Sequence, residues 1–260
     1  GAPWSTEELG LLAKGLQKYR RDGCLGPLRA LDAAGLRRCR DGLGRLFDLH
    51  TGLGSRGMDA HLTMPWLHEL ACQPSLVGAV ASALGTETVL LYQSIIILRS
   101  AGKSGREETG IDWHADGFGY LGLGPLEDFV TAFIALTPCT RSSGCLEYAP
   151  EGGGNNVFLE LQPGDFSIHS AGVSHHAIKN SSSHRRDCII LRFISGRVRD
   201  LAADVDGEPR DWAVLACGHD TEGHFRLLPP PEEEYGTACL KRWSEVKQLR
   251  DRRKKLGKLK

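Results

Sequence analysis

A histidine and an aspartate two positions apart are well placed to bind one metal ion. His114 and Asp116 lie in the segment IDWHADG, residues 111–117. Side chains on a β-strand alternate between its two faces, so residues two apart point to the same side. If this segment is extended, one imidazole and one carboxylate can reach the same ion. The pair is common by chance, and the prediction needs a third ligand from elsewhere in the chain.

Two adjacent histidines, His175 and His176, offer that third ligand. They follow the turn-forming segment LQPGD, residues 161–165. On a strand they face opposite sides, so only one of them can join the site. Two histidines and one carboxylate on one face of an octahedral ion leave three positions open, which is the ligand set of non-haem iron(II) oxygenases.

An arginine near these histidines suits the binding of a carboxylate. Arg186 lies 11 residues after His175 and begins a strand-like run that ends in LRF, residues 191–193. A guanidinium can bind a carboxylate through two parallel hydrogen bonds, so Arg186 is a candidate for the distal carboxylate of 2-oxoglutarate. Gln93, on a long predicted strand, is a second candidate for this pocket because buried polar side chains need partners.

The elements that must position these residues change character near residue 86. Before it, apolar residues recur at helical spacing in three regions, which begin at Ser5, at Asp32 and at Trp66, and the third region ends at Leu84. Asp32 can cap the second of these helices. After it, strand-like runs separated by glycine and proline cover residues 88–98, 129–136, 144–148, 157–161, 165–169, 176–179 and 187–194. Helices followed by strands favour an α+β fold in which an antiparallel sandwich or barrel packs against helices.

At its candidate site residues, the chain resembles the phytanoyl-CoA dioxygenase superfamily. That family carries His-x-Asp, a distal His, an Asn five residues later and an Arg 11 residues later; the matching residues are His114, Asp116, His175, Asn180 and Arg186. Weaker similarities at residues 19–23, 70–85 and 131–146 extend the resemblance over about residues 16–195. The family spacing selects His175 over His176 as the ligand. It also selects Arg186 over the neighbouring Arg185.

The resemblance implies a double-stranded β-helix of the jelly-roll or cupin-like type, with flanking N-terminal helices. We expect one oxygenase domain over residues 1–260, with helices in 1–85, the β core in 86–195 and a C-terminal extension in 196–260. The implied cofactors are iron(II), 2-oxoglutarate and O2, with succinate and CO2 as co-products of C–H hydroxylation. Related halogenases carry Gly or Ala at the aspartate position, so Asp116 favours hydroxylation. Ala177 departs from the family, which often has Ser there.

The expected substrate is a small, polar or acidic metabolite. The candidate residues for contacting it are Arg99, Phe118, Tyr120 and Asn180. Asn180 is also suited to ordering the turn after His175. Three alternatives remain open: a cupin-like iron enzyme that does not use 2-oxoglutarate, a peptide or protein hydroxylase, and a non-catalytic binding module. The first predicts that Arg186 is dispensable, the second requires a broad groove, and the third requires a damaged triad or a blocked cavity.

Composition narrows the remaining function classes. The formal net charge of zero gives no general attraction to nucleic acid or to an anionic membrane. The sequence has no apolar run of bilayer length, and its start lacks a signal-peptide pattern, so we expect a cytoplasmic protein. Eight scattered cysteines without a CxxC pair indicate reduced thiols. Trp113 and His169 are interpreted as buried packing residues, and residues 241–260 as a solvated basic helix or frayed tail.

Overall fold

The computed structural model describes residues 6–48, 57–101, 110–116, 122–201 and 210–257. Most of its helices lie in the N-terminal third, as predicted, and one more ends the described chain. They are α1 (Thr6–Asp22), α2 (Ala33–Asp48), α3 (Pro65–Ala71), α4 (Pro74–Leu84) and α5 (Thr237–Gly257). Pro74 divides the third predicted helical region, because a proline ring suits the first turn of a helix and disrupts its interior.

The strands form two main sheets. In chain order they are β1 (Cys24–Arg29), β2 (Val89–Arg99), β3 (Ile111–His114), β4 (Leu123–Gly124), β5 (Phe129–Ala135), β6 (Leu146–Ala149), β7 (Val157–Leu159), β8 (Asp165–Ser170), β9 (Ser174–Ala177), β10 (Arg186–Ser195), β11 (Arg199–Asp200), β12 (Trp212–Cys217) and β13 (Arg226–Leu227). The larger sheet has the order β1-β8-β5-β10-β2-β12-β13, and the smaller has the order β3-β9-β6-β7. Neighbouring strands are antiparallel except for β12 and β13.

The larger sheet is covered by helices on one face and borders a cavity on the other. Along β5, Val130, Ala132 and Ile134 belong to the same buried cluster as residues of α4. The alternate residues Thr131 and Phe133 line the cavity. Since both faces are covered, every residue of β5 is buried, and the strand is apolar almost throughout.

The larger sheet takes strands from outside the range predicted for the β core. β1 pairs with β8 at one edge, and β12 pairs with β2 near the other. β1 contains Pro27, which lies where the register shifts between Leu25 and Leu28. A proline is tolerated at such an irregularity in an edge strand, but its presence argues against a strand when only the sequence is considered.

The basic C-terminal helix packs against the domain, so the prediction of a solvated helix or frayed tail was wrong. Val246 and Leu249 of α5 are buried in the protein. Arg250 is also buried, and its guanidinium forms ion pairs with Asp59 and Asp211. No described helix has both the length and the apolar character required to cross a membrane.

Asp32 caps α2 as the sequence predicts, and this contact gives a first test of the fold. Its Oδ1 accepts a hydrogen bond of 2.7 Å from the backbone N–H of Gly35. We expect Asp32→Ala to lower the free energy of unfolding by about 1 kcal/mol, the usual effect of losing an N-cap. Urea denaturation would measure this, with the exposed Asp41→Ala in the same helix as the control. Equal stability of the two variants would contradict the prediction.

Candidate metal centre and co-substrate pocket

The smaller sheet brings the predicted histidine ligands together. His114 at the end of β3 lies opposite His175 of β9, and the centroids of their rings are 4.4 Å apart. We had expected Asp116 to lie on the same strand as His114. β3 ends at His114, however, so Asp116 reaches the site from the segment that follows the strand. His114, Asp116 and His175 each offer a ligand atom, and these three atoms lie within 4.8 Å of one another.

Backbone contacts orient both imidazoles toward the shared point. His114 Nδ1 lies 2.8 Å from the carbonyl oxygen of Asp112, and His175 Nδ1 lies 3.0 Å from that of Val173. A carbonyl oxygen only accepts, so Nδ1 carries the proton in each ring and Nε2 keeps its lone pair for a metal. Burial lowers the pKa of His175 to about 3, which favours the neutral form that a metal requires.

Three donors hold the Asp116 carboxylate. Oδ1 accepts from Arg192 Nη2 at 2.6 Å, and Oδ2 accepts from Thr131 Oγ1 at 2.8 Å and from His169 Nε2 at 3.3 Å. A carboxylate has about four lone-pair positions. One position on Oδ1 therefore remains for a metal ion.

The same surroundings keep Asp116 ionised. Burial raises the pKa of this carboxyl, but the hydrogen bond from His169 and the charge of Arg192 outweigh that effect and hold the pKa far below its ordinary value. His169 is in turn oriented by Tyr148, whose hydroxyl lies 3.1 Å from His169 Nδ1. The Asp116 carboxylate is thus ionised and held in one orientation.

The adjacent His176 points away from this cluster. Its Nε2 lies 2.6 Å from Glu147 Oε2, and its ring centroid lies 4.2 Å from that of Trp113. Trp113 is 45% exposed, so its prediction as a core residue was wrong. The strand alternation that separates His175 from His176 also sends Trp113 to the outer face, away from His114.

The candidate ligands line a cavity of about 470 Å³ between the two sheets, and Arg186 lines the same cavity. Arg186 is 1% exposed, its Nη1 donates to the carbonyl oxygen of Gly144, and its Cζ lies 5.5 Å from the ring centroid of Phe133. Its buried Nε has no hydrogen-bond partner among the described residues. Such a donor requires an acceptor, and a carboxylate in the cavity would supply one. Arg185 instead pairs with Asp187 at the surface.

The other predicted site residues take different positions. Arg99 is buried, lines the cavity and lies opposite Arg186 in the β2–β10 ladder. Gln93 is not among the described residues that line the cavity; its Oε1 accepts from Arg192 Nη1 at 2.8 Å. Asn180 donates to backbone carbonyl oxygens of Ser100 and His184, so it orders this turn. Phe118 and Tyr120 lie outside the described residues.

Sequence patterns did not identify the three residues whose side chains donate hydrogen bonds to the Asp116 carboxylate. Arg192 had a usable signal, because a charged residue stands inside the apolar run IILRF, residues 189–193. Its even spacing from Arg186 places both on the cavity face of β10. Thr131 gave no signal, since threonine is ordinary in a strand. His169 was predicted to be simply buried; it is buried, and it also contacts Asp116.

Thr131 allows the support of the carboxylate to be tested without a change of shape. Valine at position 131 keeps the branched side chain but removes the hydrogen bond to Asp116 Oδ2. We expect Thr131→Val to weaken metal binding about tenfold, as for other losses of a partner that orients a metal ligand. Calorimetric titration with iron(II) under argon would measure the effect, and unchanged affinity would contradict it.

A comparison with models of protein families shows the family to which the chain belongs. The family model "Phytanoyl-CoA dioxygenase (PhyH)" matches residues 19–188, well over half of the sequence. The chain belongs to the phytanoyl-CoA dioxygenase family. The predicted resemblance is therefore confirmed, although no curated protein sequence matches the chain significantly.

Several solved structures have a fold similar to that of this chain. The non-haem monooxygenase ThoJ, as a nickel complex, is 25% identical with a TM-score of 0.79, over 95% of this chain and 99% of its own. CytC3 with Fe(II) and α-ketoglutarate is 22% identical with a TM-score of 0.69, over 89% and 96%. The α-ketoglutarate-dependent epimerase SnoN is 21% identical with a TM-score of 0.65, over 73% and 83%. The likenesses to CytC3 and SnoN concern the fold alone.

Family and fold together confirm the predicted α+β double-stranded β-helix. They also confirm the predicted class, in which non-haem iron and 2-oxoglutarate serve as cofactors. Monooxygenase and epimerase both occur among the similar structures, so the fold supports more than one reaction outcome.

Proposed function

We propose that this protein hydroxylates a C–H bond of a small, polar or acidic metabolite, using iron(II), 2-oxoglutarate and O2. One observation carries the proposal: three ligand atoms within 4.8 Å of one another share a cavity with a buried arginine whose Nε lacks a partner among the described residues. The ligand set suits iron(II), and the guanidinium suits the distal carboxylate of 2-oxoglutarate.

Different residues of the cavity would bind the metal, bind the co-substrate and exclude water. When bound, iron(II) and 2-oxoglutarate activate O2 for C–H hydroxylation and yield succinate and CO2. His114, Asp116 and His175 would hold the metal at the wall of the cavity, where the co-substrate can reach it. Arg186 would bind and orient the co-substrate from the β10 side. The apolar side chains of Phe133 and other lining residues would exclude water from the reacting atoms.

The size and charge of the cavity support a small anionic substrate. A volume of about 470 Å³ exceeds that of 2-oxoglutarate and leaves room for a second small molecule. Arg99 adds a second buried guanidinium on the cavity wall, directly across the ladder from Arg186. A carboxylate or phosphate on the substrate would match this charge. A screen of acidic metabolites for stimulated succinate release would identify it.

The assignment can be tested before the substrate is known. We would add iron(II) and 2-oxoglutarate to the protein without oxygen and record the visible spectrum, with Asp116→Ala and Arg186→Ala in parallel. A weak charge-transfer band that requires both additions and decreases in both variants would support chelation of the co-substrate at this site. Absence of the band from folded, iron-loaded protein would overturn the use of 2-oxoglutarate and favour an iron enzyme that works without it.

A further inference from the structure

Residues 57–59 lie between the cavity and the C-terminal helix. Met58 lines the cavity, and its carbonyl oxygen accepts a hydrogen bond of 3.1 Å from the indole Nε1 of Trp243 in α5. The next residue, Asp59, is buried, and its Oδ2 accepts from Arg250 Nη1 at 3.1 Å. α5 therefore contacts this part of the cavity wall through two polar anchors. It lies outside residues 19–188, the part that the family model matches.

The backbone of Asp59 requires such anchors. Its φ of 56° and ψ of 28° are left-handed, which is sterically unfavourable for a residue with a Cβ atom. Its N–H donates to the carbonyl oxygen of Ser94 at 2.7 Å, which attaches it to β2 beside the cavity-lining Ile95. Tyr235, the other described non-glycine residue with a positive φ, donates its N–H to the carbonyl oxygen of Thr63. Both strained residues thus lie where the C-terminal region meets residues 58–63.

Arg250 fixes the relative position of α5 and this segment. Its Nε lies 3.2 Å from Asp211 Oδ2, and its Cζ lies 4.1 Å from the ring centroid of Tyr92. A buried guanidinium is tolerated only where carboxylates compensate its charge. Asp59 and Asp211 provide that compensation from two different parts of the chain. A shift of residues 57–59 away from α5 would leave buried charges unpaired, so one arrangement is strongly preferred.

We propose that α5 positions Met58, through Trp243 and Arg250, and that Met58 is a specificity-determining residue of the substrate cavity. The proposal rests on the proposed function only in taking this cavity as the substrate site. Trp243 and Arg250 are positioning residues, since they act through residues 57–59. Met58 would then be held at the side of the cavity next to β2.

The two methionines of the chain, Met58 and Met64, make a direct test possible. We would label their methyl groups with ¹³C and record their NMR signals in the full-length protein and in Trp243→Phe, which keeps a ring but loses the N–H donor. Met64 is fully buried in the main core and is the internal reference. Asp59→Asn is a second variant, because asparagine tolerates the left-handed backbone but loses the charge and one of the two oxygens that accept hydrogen bonds from Ser94 and Arg250.

A control from the same helix separates positioning from general stability. Arg253 forms a buried ion pair with Asp200, so Arg253→Lys perturbs α5 away from residues 57–59. We expect the Met58 signal to move by more than its linewidth, or to split, in Trp243→Phe and Asp59→Asn. The Met64 signal should stay in place in both variants, and Arg253→Lys should leave the Met58 signal unchanged. An unchanged Met58 signal in both folded variants, or the same change in Arg253→Lys, would overturn the proposal.

Adding iron(II) and 2-oxoglutarate to the same samples separates this proposal from the proposed function. The charge-transfer band and the affinity for 2-oxoglutarate should be unchanged in Trp243→Phe, because Trp243 is not among the described residues that line the cavity. If the wild-type band is absent, the use of 2-oxoglutarate fails, while the comparison of Met58 signals still decides whether α5 positions the cavity wall.

Discussion

His175→Ala is expected to abolish stable iron(II) binding, whereas His176→Ala leaves it unchanged. His175 offers one of three ligand atoms that lie within 4.8 Å of one another, and its removal leaves one imidazole and one carboxylate. We expect affinity for iron(II) to fall by more than about 100-fold, because losing a ligand costs more than losing a partner that merely orients one. Succinate formation should fall to background with it.

The neighbouring histidine makes this prediction unusually well controlled. His176 has the same chemistry and differs by one position, but it contacts Glu147 and Trp113 on the outer face of the sheet. Calorimetric titration of both variants with iron(II) under argon would compare them directly, with circular dichroism to verify folding. Equal loss of iron binding in the two variants, or a loss only in His176→Ala, would contradict the proposed ligand set.

Sequence patterns were sufficient where the determining contacts are local or periodic. The long strands β2, β5 and β10 were predicted from their apolar runs because burial on both faces requires such runs. Asp32 was predicted as a cap because its acceptor serves an amide three residues away. The His-x-Asp spacing and the family resemblance together predicted His114, Asp116 and His175 as candidate ligands, although the position of Asp116 beyond the end of β3 was not foreseen.

Sequence patterns failed where partners lie far apart in the chain. In the sequence, Arg250 is one of many charged residues in a basic helix. Its guanidinium is buried because it pairs with Asp59, which lies 191 residues away. The same holds for Gln93, which we expected at the co-substrate. It instead contacts Arg192 on the neighbouring strand, which in turn holds Asp116. Such ion pairs and hydrogen bonds join residues far apart in the chain, so a local pattern does not specify the partner.

Arg186→Lys is expected to weaken the binding of 2-oxoglutarate without affecting iron(II). Lysine keeps the positive charge but cannot reproduce the planar pair of donors that a carboxylate requires. One lost hydrogen bond to a charged group costs about 1.5–3 kcal/mol. Since about 1.4 kcal/mol corresponds to a tenfold change in affinity, the dissociation constant should rise by about 10- to 100-fold.

The chain again provides a matched control, because Arg185 immediately precedes Arg186. Arg185 is largely exposed and pairs with Asp187, so Arg185→Lys should leave the affinity for 2-oxoglutarate unchanged. Titrating the charge-transfer band of the iron-loaded variants with 2-oxoglutarate would give both dissociation constants. If Arg186→Lys binds 2-oxoglutarate as tightly as wild type, the arginine is dispensable for the co-substrate. The cavity would then have to bind that carboxylate through another residue, and Arg99, opposite in the ladder, would be the first to test.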